Sequence, residues 1–308
     1  MSLSGGNLER LLEAGEFVVT SEIGPPKSAD GSAVREKARM LKGYADAFNV
    51  TDNQTAIVRM SSLAASLFCM QEGVEPIMQM TCRDRNRLAM QSEILGAAAL
   101  GVKNLLCITG DHQKFGNQPE SRNVFDLDST QQLMVFRRMR DEGEMWCGDR
   151  IKAPPAVFLG AAANPFADPL EMGVIRLDKK VSAGADFIQT QAIFDMDRFH
   201  DWFDAVRDRG IHNRVRILAG ILPLRSAKAA RFMAERVPGM SVPDEILRRM
   251  EGASDEKAEG MRICLEAIDE IRGMEGIAGI HLMPVNWESA VPEIVERAGL
   301  LPRPQALR

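Results

Sequence analysis

The stretch LEMGVIRLDKKVSAGADFIQTQ, residues 170–191, contains the structural unit from which the whole chain is built. Its first part, Leu170–Ala183, has the mixed polar and apolar pattern of an amphipathic helix. Gly184 is typical of a helix end, and the apolar run Phe187–Gln191 that follows is typical of a buried strand. The same order of helix, glycine and strand recurs at three other glycines, Gly73, Gly101 and Gly210. The pattern therefore predicts a repeated βα unit.

Eight apolar runs along the chain are predicted as strands. They are Phe17–Ile23, Ala47–Thr51, Pro76–Thr81, Asn104–Thr109, Ala156–Gly160, Phe187–Gln191, Arg216–Leu222 and Gly279–Met283. Amphipathic helices are predicted between them, with extra helices near residues 243–251 and 254–274, before the eighth strand. Eight units favour an α/β fold of the closed (β/α)8 TIM barrel type, and an open doubly wound sheet is the alternative. No composition break divides the chain, so residues 1–308 are expected to form one domain.

The composition argues against several kinds of partner and site. The net charge is -5 and no long basic run occurs, which argues against nucleic acid or an anionic membrane as the main partner. The chain has no window of roughly 20 apolar residues and no signal-peptide pattern at its start, so we expect a cytoplasmic protein. None of the five cysteines has metal-ligand spacing, and we expect free thiols and no metal site.

Polar residues follow the predicted strands at the points where the strands end. In a TIM barrel these ends meet at one rim, and the loops of that rim carry the active site. The rim segments are residues 21–27, 51–53, 79–86, 109–112, 161–165 and 189–191. Their clustering on one rim predicts an enzyme.

Glu22 is the most informative single residue of the rim. It ends an apolar strand just before the rigid turn Gly24–Pro26, where partial loss of water would favour a protonated carboxyl group. Such a group can act as a general acid near neutral pH. The alternative is an ion pair of Glu22 with Lys27 or with an arginine of the barrel.

Other rim residues also have two interpretations. Asp111, after Gly110, either orients a ligand or caps the next segment. Three arginines after the third strand either receive a phosphate or open the next helix as a charged turn: Arg83, Arg85 and Arg87. The amides of Gln189 and Gln191 need partners inside an apolar strand, and a pterin or flavin could supply them. Dinucleotide-fold, P-loop, serine-hydrolase and zinc-protease motifs are absent from the sequence.

Taken together, the rim segments resemble the methylenetetrahydrofolate reductase family. The resemblance covers about residues 17–302, and its ending ERAGLLPRP looks like the short bacterial, single-domain form. Its strongest parts are SEIGPP at 21–26, QMTCRDRNR at 79–87, ITGD at 108–111, DKKVSAGADFIQTQAIFD at 178–195, AGILPL at 219–224 and IHLMPVNW at 280–287. The resemblance implies flavin-dependent, reversible reduction of 5,10-methylenetetrahydrofolate to 5-methyltetrahydrofolate in one-carbon metabolism.

The resemblance also implies roles for individual residues. Glu22 matches the general acid that protonates N10 of the folate, Asp111 matches an aspartate that contacts flavin and pterin, and Gln191 matches a folate-binding glutamine. The cofactor is then a flavin, FAD in preference to FMN. Positions implied to contact it are Thr51, Asn53, Gln79, Thr81, Thr109, Gly110, Asp111, Ala163, Asn164 and Lys180, with Lys180 near the flavin phosphate.

Some positions depart from the family pattern. Several members have a histidine at Gln79 and an aromatic residue near Ala163. Ala227 stands where well-known bacterial members have a phenylalanine that stacks on folate and nicotinamide, and Trp287 stands where they have an arginine. The implied electron donor is therefore either NAD(P)H or a partner subunit, in a homo- or hetero-oligomer. Two alternatives stay open: a flavin-free folate- or pterin-binding barrel of the methyltransferase kind, and an electron-transfer subunit of a reductase complex.

Overall fold

Eight parallel strands close into a barrel in the computed structural model, which describes residues 3–237 and 239–305. Each strand pairs with its neighbours in chain order, and β1 closes the barrel against β8. The strands are Val18–Ile23 (β1), Ala47–Val50 (β2), Pro76–Thr81 (β3), Asn104–Ile108 (β4), Phe158–Ala163 (β5), Phe187–Ala192 (β6), Arg216–Ile221 (β7) and Ile277–Leu282 (β8). The predicted TIM barrel is therefore confirmed, and the open sheet is excluded.

Helices surround the barrel and close one of its ends. They are Asn7–Glu13 (α1), Ser32–Leu41 (α2), Ser62–Gln71 (α3), Arg87–Ala99 (α4), Ser129–Asp141 (α5), Leu170–Ala183 (α6), Met196–Asp208 (α7), Ala227–Arg236 (α8), Asp244–Gly252 (α9), Glu256–Arg272 (α10) and Ala290–Arg297 (α11). The extra helices predicted before β8 are confirmed as α9 and α10. In the described ranges, no helix combines the length and apolar character needed to cross a membrane.

The prediction for β5 was wrong in its bounds, because the strand ends at Ala163 and not at Gly160. Three alanines, Ala161–Ala163, have low strand propensity, and the sequence pattern therefore ended the strand too early. Pairing with β6 extends the strand to Ala163, because Ala161 lies level with Ile188 of β6 and Ala163 lies level with Thr190. Two helices, α1 and α11, were not predicted.

The lower half of the barrel interior is apolar and filled. The cluster there includes Val18, Ala47, Ile77, Leu106, Phe158, Phe187 and Leu218. Leu8, Leu11 and Leu12 of α1 pack into the same cluster and close the end of the barrel at which the strands begin. The rings of Phe158 and Phe187 stack with their centroids 5.3 Å apart. We call this set of side chains the lower layer.

A second, larger core lies between the strands and the surrounding helices. Four cysteines, Cys69, Cys82, Cys107 and Cys264, are buried and unbridged, one more than the three for which the sequence favoured a buried free thiol. Burial raises the pKa of the Cys69 thiol to about 12, so this group is inert near neutral pH.

Candidate active site

Glu22 lies near the carboxyl end of β1 and on the same face of the strand as Val18 and Thr20, which is the face directed into the barrel. Its side chain is 16% exposed. Its Oε1 lies 3.5 Å from Nε2 of His281 on β8, and it makes no ion pair with a lysine or arginine of the described chain. The expected alternative of a pair with Lys27 or an arginine is therefore wrong.

The turn that follows Glu22 is held by its neighbours. The backbone N–H of Met60 donates to the Pro26 carbonyl at 2.9 Å, and Nη1 of Arg59 donates to the Pro25 carbonyl at 3.2 Å. These bonds tie the end of β1 to the loop after β2. The turn directly after Glu22 is therefore held in place.

A hydrogen-bonded network of four buried side chains lies beneath Glu22: Thr20, Asn49, Gln189 and His281. The Asn49 and Gln189 amides bond to each other in both directions, at 2.7 and 3.1 Å. Gln189 Nε2 also donates to Thr20 Oγ1 at 3.2 Å, and that oxygen lies 3.0 Å from His281 Nδ1. Gln189 thus has its partners within the protein, so its amide needs no ligand. We call this set the upper network.

Three polar side chains above the network have no hydrogen-bond partner in the described chain. The hydroxyl of Thr51, just past the end of β2, is buried and unpaired. The amide of Gln79 on β3 is nearly buried, and that of Gln191 on β6 is half-buried; neither makes a hydrogen bond with a described residue. Because buried polar groups are normally paired, these groups indicate a ligand with several donors and acceptors.

The position of Gln191 depends on an irregularity between β6 and β7. The register shifts between Gln189 and Ala192, and the Thr190 hydroxyl accepts a bond from the backbone N–H of Gly220 at 2.8 Å. A Cβ at Gly220 would lie 2.4 Å from the Thr190 carbonyl oxygen, so only glycine allows this close approach. The bulge therefore sets where the Gln191 side chain leaves the strand.

Asp111 follows Gly110, whose φ of +88° favours glycine. A Cβ on Gly110 would lie only 3.0 Å from Thr81 Cβ, so this position also has little room for a side chain. Arg83 holds the Asp111 backbone by donating to its carbonyl at 3.1 Å. The Asp111 carboxylate is exposed and makes no hydrogen bond or ion pair in the described ranges. It is not a helix cap, since His112 caps the next turn, and it is available to a ligand.

Lys180 of α6 is a half-buried cation without a carboxylate partner in the described chain. Its Nζ donates to the Ala162 carbonyl at 2.7 Å, at the end of β5. Burial lowers the pKa of the Lys180 ammonium, because its charge is poorly solvated there. An anionic group of a ligand would compensate for this loss of solvation.

The three arginines after β3 already have carboxylate partners. Arg83 pairs with Asp84 at 2.7 Å, and Arg87 pairs with Asp126 at 2.8 Å. Arg85 pairs with buried Asp52 at 2.6 Å and also with Glu93. The alternative in which these arginines receive a phosphate is therefore not supported, and they build the rim instead.

The remaining predicted contacts differ in what they offer a ligand. Asn53 Oδ1 accepts from the Arg59 backbone at 3.0 Å, and the Thr81 hydroxyl donates to Asp52 at 3.0 Å. The Thr109 hydroxyl donates to Ser129 at 3.2 Å. Asn164 Oδ1 accepts from the backbone of Phe166 at 2.9 Å, which leaves its amide nitrogen available.

Ala163 contributes backbone only, because its methyl group packs against the core outside the barrel. Its place as a flavin contact stays a prediction.

His281 and Asn49 are part of the site but were not predicted as site residues. His281 appeared in the sequence as one of four scattered histidines. The sequence feature that could have helped to find them is the alternation of side chains along a strand, which puts Thr20 and Glu22 on one face of β1. The pairing of β8 with β1 that brings His281 level with Thr20 is a barrel closure and leaves no local pattern in the sequence.

Comparison with known proteins identifies the family to which the chain is similar. The sequence model of the methylenetetrahydrofolate reductase family matches residues 7–299. A protein named methylenetetrahydrofolate reductase 1 from Schizosaccharomyces pombe is 27% identical over 236 residues, which cover 74% of this chain and 36% of that protein. A probable NADPH-dependent methylenetetrahydrofolate reductase from Caenorhabditis elegans is 24% identical over 312 residues, 95% of this chain and 44% of that protein. The chain thus spans less than half the length of these two relatives.

Among solved structures, a Clostridium thermocellum protein described as binding two copies of 5-methyl-5,6,7,8-tetrahydrofolic acid has a similar fold. The TM-score is 0.68 at 13% identity, and the match covers 96% of this chain and 99% of that one. At this identity the match concerns the fold alone.

Proposed function

The chain belongs to the methylenetetrahydrofolate reductase family, and we propose that it reduces 5,10-methylenetetrahydrofolate to 5-methyltetrahydrofolate, reversibly, with a bound flavin. The observation that carries the proposal is the rim itself. Glu22 stands near the end of β1 beside the upper network, and the unpaired groups of Thr51, Gln79, Asp111 and Gln191 belong to β2, β3, β4 and β6 or to the residues just past those strands. A pterin and a flavin are planar ligands with many donors and acceptors, which is what such groups require.

The rim residues fit a flavin in two respects. The unpaired Thr51 hydroxyl and Gln79 amide suit the polar edge of the flavin ring. Lys180, which lacks a carboxylate partner, suits its phosphate, and Asn164 lies just past the same strand, β5. When bound, the flavin supplies the hydride that the folate receives. Residues 1–308 would then be a single flavin-binding barrel domain.

Glu22 would hold the proton that the folate N10 receives as the five-membered ring opens. Its carboxyl group is largely shielded from water and makes no ion pair with a lysine or arginine of the described chain, so it is available to a substrate nitrogen. Ring opening leaves a positive charge on the N5 side of the substrate. The unpaired carboxylate of Asp111 would stabilise that charge, and the amide of Gln191 would hold the pterin in place.

Three finer features belong to the same proposal. We favour FAD over FMN as the flavin. The electron donor is NAD(P)H or a partner subunit, and the chain works as a homo- or hetero-oligomer. The cytoplasm is the compartment expected from the sequence.

The test begins with the purified protein. Heat should release one flavin per chain, identified by mass, and the chemically reduced protein should be reoxidised by 5,10-methylenetetrahydrofolate with formation of 5-methyltetrahydrofolate. A colourless protein that still binds folate would favour the flavin-free barrel. A flavoprotein that exchanges electrons with a partner but leaves folate unchanged would favour the electron-transfer subunit.

A further inference from the structure

Arg83 is a buried cation just past the end of β3, with a side chain that is 3% exposed. Its Nε and Nη2 donate to the two carboxylate oxygens of Asp84 at 2.8 and 2.7 Å. Its Nη1 donates to the Asp111 carbonyl at 3.1 Å, and Nη2 also donates to the Asn53 carbonyl at 3.3 Å. These four bonds leave one of the five N–H groups of the guanidinium unused. The side chain therefore joins the loops that follow β2, β3 and β4.

The backbone of Arg83 binds the loop after β4 at two further points. Its N–H donates to the Thr109 carbonyl at 3.1 Å, and its carbonyl accepts from the Val124 N–H at 2.8 Å. One residue thus holds this loop at its beginning and near its end, and the side chain adds the bond to Asp111 between them. Because the backbone bonds do not depend on the side chain, a substitution at this position tests the side chain alone.

The turns that Arg83 holds have unusual backbone conformations. Asn53, with a φ of +44°, and Gly110, with a φ of +88°, lie in the left-handed region, as does Phe125, next to Val124, with a φ of +40°. This region is disfavoured for residues that carry a Cβ. Such conformations persist where the surrounding structure fixes them, and they are common at functional sites. Arg83 bonds to each of these turns or to its immediate neighbour.

Stability alone does not account for a buried arginine here. Replacing a buried ion pair by apolar side chains often leaves stability unchanged or raises it. An apolar side chain cannot hold two carbonyls, however, and a lysine donates from a single nitrogen, whereas the planar guanidinium donates in several fixed directions. Asp84 pairs with the charge of Arg83, and the Asp111 carboxylate keeps no ion-pair partner in the described chain. Placement of the rim loops is therefore the more specific role of Arg83.

We propose that Arg83 is a positioning residue that sets where the Asp111 carboxylate stands at the rim, by holding the Asp111 carbonyl. This inference rests on the proposed function, in which Asp111 stabilises the positive charge that ring opening leaves on the N5 side of the substrate. A displacement of about 1 Å in such a group can cost on the order of a hundredfold in rate. Arg83 acts through Asp111 and contributes no atom to the reaction.

The first test is folate-driven reoxidation in single turnovers of the reduced holoprotein, measured over a range of folate concentrations. Arg83→Met keeps much of the side-chain volume and removes all four side-chain bonds. We expect the maximal rate to fall by about ten- to a hundredfold, with a much smaller change in the half-saturating folate concentration, because the charge develops during the reaction. Arg83→Lys should give an intermediate rate, since one nitrogen cannot reproduce the fork.

Arg87→Met is the matched control. The Nε and Nη2 of Arg87 form the same kind of fork with the carboxylate of Asp126, at 2.8 Å for both bonds. In the described chain, the Arg87 side chain makes no bond to a carbonyl of another rim loop. This variant should therefore keep a maximal rate within a few-fold of the wild type.

A double-mutant cycle separates positioning from a general structural role. If Arg83 acts through Asp111, Arg83→Met should change the rate by less than about threefold in a protein that already carries Asp111→Ala. The same ten- to hundredfold loss in both backgrounds would overturn the inference and assign Arg83 a structural role.

The second test needs no turnover. Crystal structures of the holoprotein should show residues 110–112 displaced in Arg83→Met by more than about 0.5 Å, the tolerance of a productive site, and unmoved in Arg87→Met. Unmoved residues 110–112 in Arg83→Met would overturn the inference whatever the rates. Arg83→Lys, which keeps a cation beside Asp84, serves in both tests if Arg83→Met does not fold. A wild-type protein that passes no electrons to folate would instead overturn the proposed function, and the crystal structures would still decide the inference about Arg83.

Discussion

The two halves of the barrel interior differ in how completely their side chains are satisfied. In the lower layer, Phe158, Phe187 and their neighbours pack against one another and against α1 as one apolar cluster. Above the upper network, the groups of Thr51, Gln79 and Gln191 have no partner in the described chain. The difference indicates that the lower layer stabilises the barrel, whereas the upper half is built for a ligand.

The two halves meet at the upper network, which is polar but fully bonded. Asn49 and Gln189 cross the barrel from β2 to β6, strands that are far apart in the sequence. A bonded polar layer of this kind adds rigidity, because each amide has one geometry that satisfies its partners. It therefore supports Glu22 with a rigid layer of side chains and leaves the space above Glu22 open.

A change in the lower layer should affect stability most. The ring of Phe187 lies over Gly160, where a Cβ would come within 2.2 Å of it, so the ring fills the space that the glycine leaves. We expect Phe187→Ala to lower the free energy of unfolding by about 3–5 kcal/mol. Chemical denaturation measures this. Flavin content per folded molecule should stay near one, and loss of flavin at unchanged stability would contradict the division into two halves.

A change at the rim should weaken flavin binding and leave the free energy of unfolding nearly unchanged. Lys180→Met removes the cation while keeping much of the side-chain volume. Because charged hydrogen bonds contribute about 1.5–3 kcal/mol, flavin affinity should fall by roughly ten- to a hundredfold with little change in unfolding. The exposed neighbour Lys179→Met is the control. Equal flavin affinities in the two variants, measured by fluorescence titration, would remove Lys180 from the flavin site.

The smallest expected effect concerns the electron donor. Ala227 offers no ring, and Trp287, which is partly buried against the core outside the barrel, stands where the resemblance implies an arginine. A stacked pair contributes roughly 0.5–1.5 kcal/mol, so Ala227→Phe should tighten NADH binding by about two- to tenfold. The unchanged protein should be reduced slowly by NADH and readily by a one-electron dye. Stopped-flow reduction by NADH above about ten per second would contradict this.

The sequence predicted the barrel well, since periodic apolar runs and helix-ending glycines are local features. It also placed Glu22 and Asp111 on one rim, because all parallel strands end at the same side of a barrel. The bounds of β5 were missed, since Ala161–Ala163 form a strand only through their pairing with β6.

Partners that lie far apart in sequence were not predictable. The sequence left open whether Arg83, Arg85 and Arg87 receive a phosphate or form a charged turn, and their carboxylate partners became visible only in the folded chain. His281 joins Glu22 through the closure of β8 on β1, a contact that spans most of the chain. Such contacts depend on barrel geometry, and no short motif encodes them.

The central claim is that Glu22 is the proton donor of the upper half and has no part in holding the barrel together. The measurement is the single-turnover rate of folate-driven flavin reoxidation in Glu22→Gln, together with its flavin content. We predict a loss on the order of a hundred- to ten-thousandfold in rate, with flavin bound and unfolding unchanged. A rate within a few-fold of the wild type, in a protein that keeps its flavin, would contradict the account.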